Sequence, residues 1–273
     1  MKPFCEMGSH GNWLYQISFI KRSSIVTTCI CHLHRIQAFL NMKTKLINGH
    51  PHIQHEVPKY SSEEMLSRSK EYYDWLNTRR TVRDISSDPI PLEVVQNIIM
   101  AASTAPSGAH KQPWTFCIVS DPTIKKLIRQ AAEKEEYESY NSRMSERWKK
   151  DLEAIGTDWN KPFLEEAPYL IVVFKRAYEI DEEGIKQNNY YVNESVGIAC
   201  GMLISAIHHA GLVTLTHTPS PMNFLQKILK RPENERPFLL LPIGLSKEEV
   251  FVPDLKRKDF KQVIVSSRLL TSN

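Results

Sequence analysis

Three guanidinium groups and a hydroxyl fall within five residues at Arg79-Arg80-Thr81-Val82-Arg83. Arginine is a planar, forked donor that matches phosphate oxygens, so this run suits a phosphorylated ligand; taken alone it also reads as a solvated basic turn. A second cluster is the loop Ala105-Pro106-Ser107-Gly108-Ala109-His110-Lys111-Gln112-Pro113-Trp114. Its small Ser-Gly-Ala centre exposes backbone N–H groups to an anion or a flat ring. A third, basic group lies late in the chain at Leu255-Lys256-Arg257-Lys258.

What is absent narrows the chemistry. The ten glycines form no G-x-G-x-x-G and no Walker loop, and there is no H-E-x-x-H, G-x-S-x-G or paired C-x-x-C. A Rossmann dinucleotide site and a P-loop are therefore excluded, and any phosphate must be held by side chains. Cys29-x-Cys31 followed by His32 and His34 has the residue types of a zinc knuckle, but no second cysteine pair completes four ligands, so no metal is expected. Cys117 and Cys200 read as packed core thiols.

These groups need a scaffold, and 273 residues, 41% hydrophobic and 24% charged, suffice for a core without staples. The first 58 residues carry six basic and two acidic side chains, and the remainder is balanced. A neutral body offers no footprint for nucleic acid. Residues 1–58 read as a disordered or targeting arm, and 59–273 as one catalytic domain. No run is apolar for long enough to span a bilayer; the catalytic domain reads as soluble and cytoplasmic, with membrane association left open.

Ser61 and Glu64 make a capping box at the start of a helix over 61–79. Pro91 opens a second helix, with Leu92, Val95, Ile99 and Ala102 at helical spacing. Strands are expected over 114–119, 168–174, 212–218 and 238–243. A long helix is expected over 188–209, closed by Gly211. Gly197, Gly201 and Ser205 give that helix a small stripe, suited to close approach of another helix or of its own copy in a second subunit. Residues 121–155 are helical but heavily charged, the ordinary pattern of a solvated face. The class is α+β, with helices packed around a mainly antiparallel sheet.

Taken together, Arg-Arg-Thr-Val-Arg, then Thr-Ala-Pro-Ser-Gly-Ala-His-x-Gln-Pro-Trp, then Asp-Leu-Lys-Arg-Lys resemble the nitroreductase superfamily of flavoproteins. The Pro-Ser-Gly-Ala-His form of the loop is similar to that of the iodotyrosine deiodinases within it. The likeness covers residues 60–267. It implies a domain-swapped homodimer holding FMN, with Arg79, Arg80, Thr81, Val82, Arg83 and Arg257 at the phosphate and flavin edge. Pro106, Ser107 and Gly108 would reach the flavin across the dimer interface. Thr216, His217 and Thr218 would lie near the ring, with Thr218 donating to flavin N5 as the catalytic hydroxyl. That hydrogen bond favours stepwise one-electron transfer over hydride transfer.

For the substrate, the resemblance implies that the Ala109 N–H meets a phenolate, while Glu136, Tyr140 and Lys161 hold the amino-acid zwitterion. Glu136 and Tyr140 are four residues apart and share one helix face. A carboxylate for an ammonium and a lysine for a carboxylate are what a zwitterion requires. The charged segment 125–162 then becomes a lid over the site. The implied reaction is reductive dehalogenation of mono- and diiodotyrosine with NADPH-derived electrons; no dinucleotide motif is present, which leaves room for a separate reductase to deliver them and leaves the electron donor open. The rivals are a general FMN nitroreductase or quinone reductase, which has no need of the trio, and a non-catalytic halotyrosine- or flavin-binding module.

Overall fold

The computed structural model describes residues 43–266. Contacts divide the chain into two units, residues 1–69 and 70–273. The first contains strands β1 (Thr44–Ile47) and β2 (His50–Ile53), antiparallel, with Ile47 opposite His50. The turn between them is Asn48-Gly49, both at positive φ (51° and 81°), the conformation that joins a tight hairpin. The expected arm over 1–58 therefore needs correcting, because order does not wait for Tyr60. Asn-Gly between β-branched and apolar residues is a hairpin signal in its own right. Residues 1–42, with Cys29, Cys31, His32 and His34, lie outside the described residues.

Helix α1 (Ser62–Asn77) opens on the expected capping box: Glu64 N–H donates to Ser61 Oγ at 3.2 Å, and Ser61 N–H to Glu64 Oε2 at 2.8 Å. Pro91 is the residue just before α2 (Leu92–Ser103), one position earlier than expected.

The second unit is built on a fully antiparallel four-stranded sheet. Its strands are β3 (Trp114–Val119), β4 (Tyr169–Arg176), β7 (Val213–Thr214) and β8 (Glu235–Gly244), in the order β3-β4-β8-β7. β4 is buried on both faces, and its alternation divides the core in two. Ile171 and Val173 pack with α2 and with α6 (Val192–His209). Leu170, Val172 and Phe174 pack with residues of α3 (Pro122–Glu138), α5 (Phe163–Glu166) and α7 (Asn223–Ile228). Helices thus cover both faces of the sheet.

Two elements differ from expectation. The long helix begins at Val192, because Lys186–Asn188 pairs as β6 with β5 (Tyr178–Ile180) and Tyr191 turns left-handed at φ 47°. The strand expected over 212–218 is hydrogen-bonded only at Val213–Thr214 and again at His217, opposite Leu240. The gap falls where the same register sets Leu215 against Pro242, which has no N–H to give. Among the described residues no helix is long and apolar enough to cross a membrane.

Candidate active site

Directly after α1 the chain lays Arg79, Arg80, Thr81 and Arg83 along a cavity of about 300 Å³, with Lys256 and Arg257 brought in from the C-terminal segment. Among the described residues, no acidic side chain lines it. Arg257 donates to the Asn77 carbonyl and side chain at 3.1 and 2.9 Å and to the Arg79 carbonyl at 2.8 Å, and Arg80 donates to the Pro253 carbonyl. These bonds fix the guanidiniums on backbone oxygens without neutralising them. Burial, then Arg257 and Arg80, push the Arg79 pKa below its usual value. A group of cations repelling one another in a cavity fits a phosphate. Val82 is the exception in the run: its side chain is buried in the fold, and its N–H donates to the Thr214 carbonyl at 3.2 Å.

Arg83 links this cavity to the charged segment. It donates to the Ile155 carbonyl at 3.4 Å, and its charge acts on both Tyr140 and Lys161, lowering the pKa of each. α3 buries Ile128 and Ala132, so its first half belongs to the core. It continues into a π-turn (Ser139–Arg143) carrying Tyr140, and then into α4 (Glu146–Glu153). Glu136 Oε2 lies 3.8 Å from Lys161 Nζ, and the Tyr140 hydroxyl donates to the Thr157 carbonyl at 3.1 Å. Lys161 also donates to Thr157 Oγ1 at 3.1 Å and to the Asp158 carbonyl. The trio is therefore assembled, from a helix and from the loop before α5. Burial raises the pKa of Glu136 and lowers that of Lys161, each held back by the other's charge.

Thr216 and Thr218 are exposed, alternating with buried Leu215, His217 and Pro219. His217 accordingly turns inward. Its backbone exchanges hydrogen bonds with Leu240 at 2.9 and 3.1 Å, and its ring stands edge-on to Phe163 at 5.8 Å. Burial, then Lys161 and Arg83, press its pKa down to about 3, and Nε2 is buried without a partner.

The loop at Pro106–Ala109 is positioned elsewhere and does not line the arginine cavity. Gly108 N–H donates to Ser195 Oγ on α6 at 3.3 Å, and Ser107 Oγ accepts from Gln112 N–H at 2.9 Å. Ala109, His110 and Gln112 all take positive φ (48°, 55° and 47°). Strain of this kind in non-glycine residues collects at ligand-binding loops. A Cβ on Gly108 would meet the Tyr190 carbonyl oxygen and Tyr191 Cδ2, both at 3.0 Å, a close approach that a side chain could share only if its neighbours gave way by a few tenths of an ångström. Gly197 and Gly201 meet nothing within 4 Å, and Gly201 and Ser205 border a groove of about 820 Å³ beside Tyr72 and Trp75. Among the described residues the stripe is met only at Ser205, whose Oγ lies 3.4 Å from the Tyr72 hydroxyl of α1.

Residues 76–245 match the Nitroreductase family. A Haliscomenobacter hydrossis protein named iodotyrosine deiodinase is 68% identical over 207 residues, covering 76% of this chain and 93% of its own length. The chain belongs to the nitroreductase family, among its iodotyrosine deiodinases. The human iodotyrosine deiodinase 1 is 46% identical over 216 residues, 79% of this chain and 75% of its own length. A crystal structure of oxidised iodotyrosine deiodinase bound to FMN and 3-iodo-L-tyrosine superposes with a TM-score of 0.63 at 33% identity, covering 72% of this chain and 98% of that one.

Lys256, from the late basic group, shares the arginine cavity. Around the trio the fold brings in two groups that the sequence reading did not single out. Glu133 and Arg129 brace the loop that carries Lys161. The signal for the latter pair is their i, i+4 spacing on α3.

Proposed function

We propose that this chain is an FMN-dependent iodotyrosine deiodinase, converting mono- and diiodotyrosine to tyrosine and iodide. The observation that carries the reading is the buried Glu136–Lys161 pair with Tyr140 beside it, within electrostatic reach of the arginine cavity. A nitroreductase acting on plain aromatics has no use for this arrangement.

Arg79, Arg80, Arg83, Lys256 and Arg257 hold the FMN phosphate and ring edge. When bound, reduced FMN supplies the two electrons that, with one proton, break the carbon–iodine bond and leave C–H and iodide. Lys161 and Glu136 neutralise one another across 3.8 Å in the free site. A zwitterion lying alongside the pair gives each a further partner, carboxylate to Lys161 and ammonium to Glu136, so both charges stay compensated. Tyr140, held on the Thr157 carbonyl, closes the same face. The Thr218 hydroxyl, on the exposed side of its segment, is the donor to flavin N5. The Ala109 N–H meets the substrate phenolate.

The Pro106–Ala109 loop stands away from the arginine cavity, and the small stripe of α6 borders an open groove. Both features support a homodimer in which each chain completes the other's site. NADPH-derived electrons arrive through a separate reductase, since the chain carries no dinucleotide loop.

The test is anaerobic. Protein loaded with FMN is reduced with dithionite and mixed with 3-iodotyrosine, and tyrosine and iodide are measured. Stoichiometric release of both, suppressed in Lys161→Ala, is the expected result. Reduced flavin with no iodide released overturns the reading.

A further inference from the structure

Lys161 is held at both ends by one helix. Its ammonium faces Glu136, while its backbone N–H donates to Glu133 Oε1 at 2.8 Å. Glu133 lies one turn before Glu136 on α3, so two carboxylates on neighbouring turns grip the same lysine. The same Glu133 oxygen accepts from Arg129 Nε at 2.7 Å. Arg129 in turn donates to Asn160 Oδ1 at 3.0 Å and lies 3.6 Å from Glu165 Oε1. Tyr137, also on α3, stacks edge-on to Trp159 at 5.6 Å. Trp159, Asn160 and Lys161 are thus each fastened to α3, and Glu133 accepts from both the Lys161 backbone and Arg129.

We propose that Glu133, braced by Arg129, is a positioning residue for substrate recognition: it fixes the backbone of Lys161 so that the ammonium stands opposite Glu136 at the spacing a zwitterion needs. This rests on the deiodinase reading above. A charge-assisted bond to a backbone N–H has a defined direction as well as strength, which a lysine on a free loop would lack. Without it, Lys161 keeps its charge and loses its height above α3. The consequence falls on substrates that carry a carboxylate and not on the aromatic ring itself.

The experiment uses the full chain loaded with FMN and compares wild type with Glu133→Ala, Glu133→Gln and Arg129→Met. Two substrates are assayed under the same reductant: 3-iodotyrosine, and 2-iodophenol, which has the ring and halogen without the zwitterion. The readout is the ratio of their kcat/KM values, together with the Kd of 3-iodotyrosine from flavin fluorescence in the oxidised protein. Glu133→Ala is expected to lower the ratio at least about tenfold, through KM, with a matching rise in Kd. Glu133→Gln keeps an acceptor oxygen and should retain most of the ratio. If Glu133→Ala does not fold, Arg129→Met makes the same comparison, with a smaller loss expected. A ratio unchanged in both Glu133→Ala and Arg129→Met, or a Glu133→Gln as impaired as Glu133→Ala, overturns the proposal. Absence of deiodination in the wild type would instead overturn the deiodinase reading, and the Kd series would still report on Glu133.

Discussion

Glu136 and Lys161 face each other at 3.8 Å with 14% and 5% of their side chains exposed, so each depends on the other for its charge. Burial displaces the two pKa values towards one another, Glu136 upward from 4.5 and Lys161 downward from 10.5. Zwitterion binding requires the carboxylate ionised and the amine protonated. As pH falls, Glu136 is protonated sooner than an ordinary carboxylate; as pH rises, Lys161 loses its proton sooner than an ordinary lysine. The KM for 3-iodotyrosine should therefore rise on both sides of neutrality, within the window the free side chains would give. Glu136→Gln should raise KM about tenfold at neutral pH and abolish the acid limb. An acid limb that survives in Glu136→Gln assigns it to another group.

His217 gives a second pH effect, on stability. Its pKa is about 3 in the folded chain against the usual 6.5. Above pH 6.5 neither state is protonated at this residue and stability does not change. Below it the unfolded chain binds a proton that the folded chain refuses, so stability falls by about 1.4 kcal/mol per pH unit until the folded pKa is reached. Urea denaturation at pH 7 and pH 5 should show a loss about 2 kcal/mol smaller in His217→Leu than in wild type. Equal losses in the two proteins would mean that His217 is protonated in the fold.

The site was legible in the sequence to unequal degrees. The arginine run could be read from residue type and spacing, and β3 falls on the residues its β-branched and aromatic content marked out. The Asn48-Gly49 hairpin was equally legible, but it lay in a stretch whose charge suggested an unstructured arm. Other features depend on pairing across the fold. The break in β7 needs Pro242 set opposite Leu215, and the inward turn of His217 follows from its bridge to Leu240. The grip of Glu133 on Lys161 joins residues 28 apart, and no local pattern announces it.

Gly108 is a place where one methyl group should matter. A Cβ there would stand 3.0 Å from the Tyr190 carbonyl oxygen and from Tyr191 Cδ2, and the backbone oxygen cannot swing away as a side chain would. Gly108→Ala should cost about 1–3 kcal/mol and displace the strained loop that follows. Flavin content of the purified protein, measured by absorbance against wild type, should drop. Full flavin content with unchanged stability would show that the loop gives way freely.

Lys125 tests the scaffold beneath the Glu136–Tyr140–Lys161 trio. Its ammonium is buried and donates to the carbonyls of Glu165 and Ala167 at 2.9 and 2.7 Å, closing the end of α5 where β4 begins. Lys125→Met keeps the aliphatic stem and strips both carbonyls of their donor. The loss should be about 2–4 kcal/mol by chemical denaturation, with KM for 3-iodotyrosine little changed in the protein that remains folded. A loss below about 0.5 kcal/mol would mean that water replaces the ammonium without penalty.

Thr218 separates the two chemistries open to this fold. Its side chain is on the exposed side of a segment whose buried residues, Leu215, His217 and Pro219, fix the backbone, so removing the hydroxyl should leave the fold intact. On the proposed reading, halide loss in two one-electron steps would depend on a hydrogen bond from Thr218 to flavin N5, and reduction of a nitroaromatic by hydride would not. Thr218→Ala should therefore lower the deiodination rate by at least about tenfold, the scale of one lost hydrogen bond at a reacting centre, while reduction of a nitroaromatic is maintained or rises. Rescue by Thr218→Ser would tie the effect to the hydroxyl and not to the methyl group. Parallel loss of both activities would place Thr218 in flavin binding, and the donor to N5 would have to be sought in Thr216, the other exposed hydroxyl of the same segment.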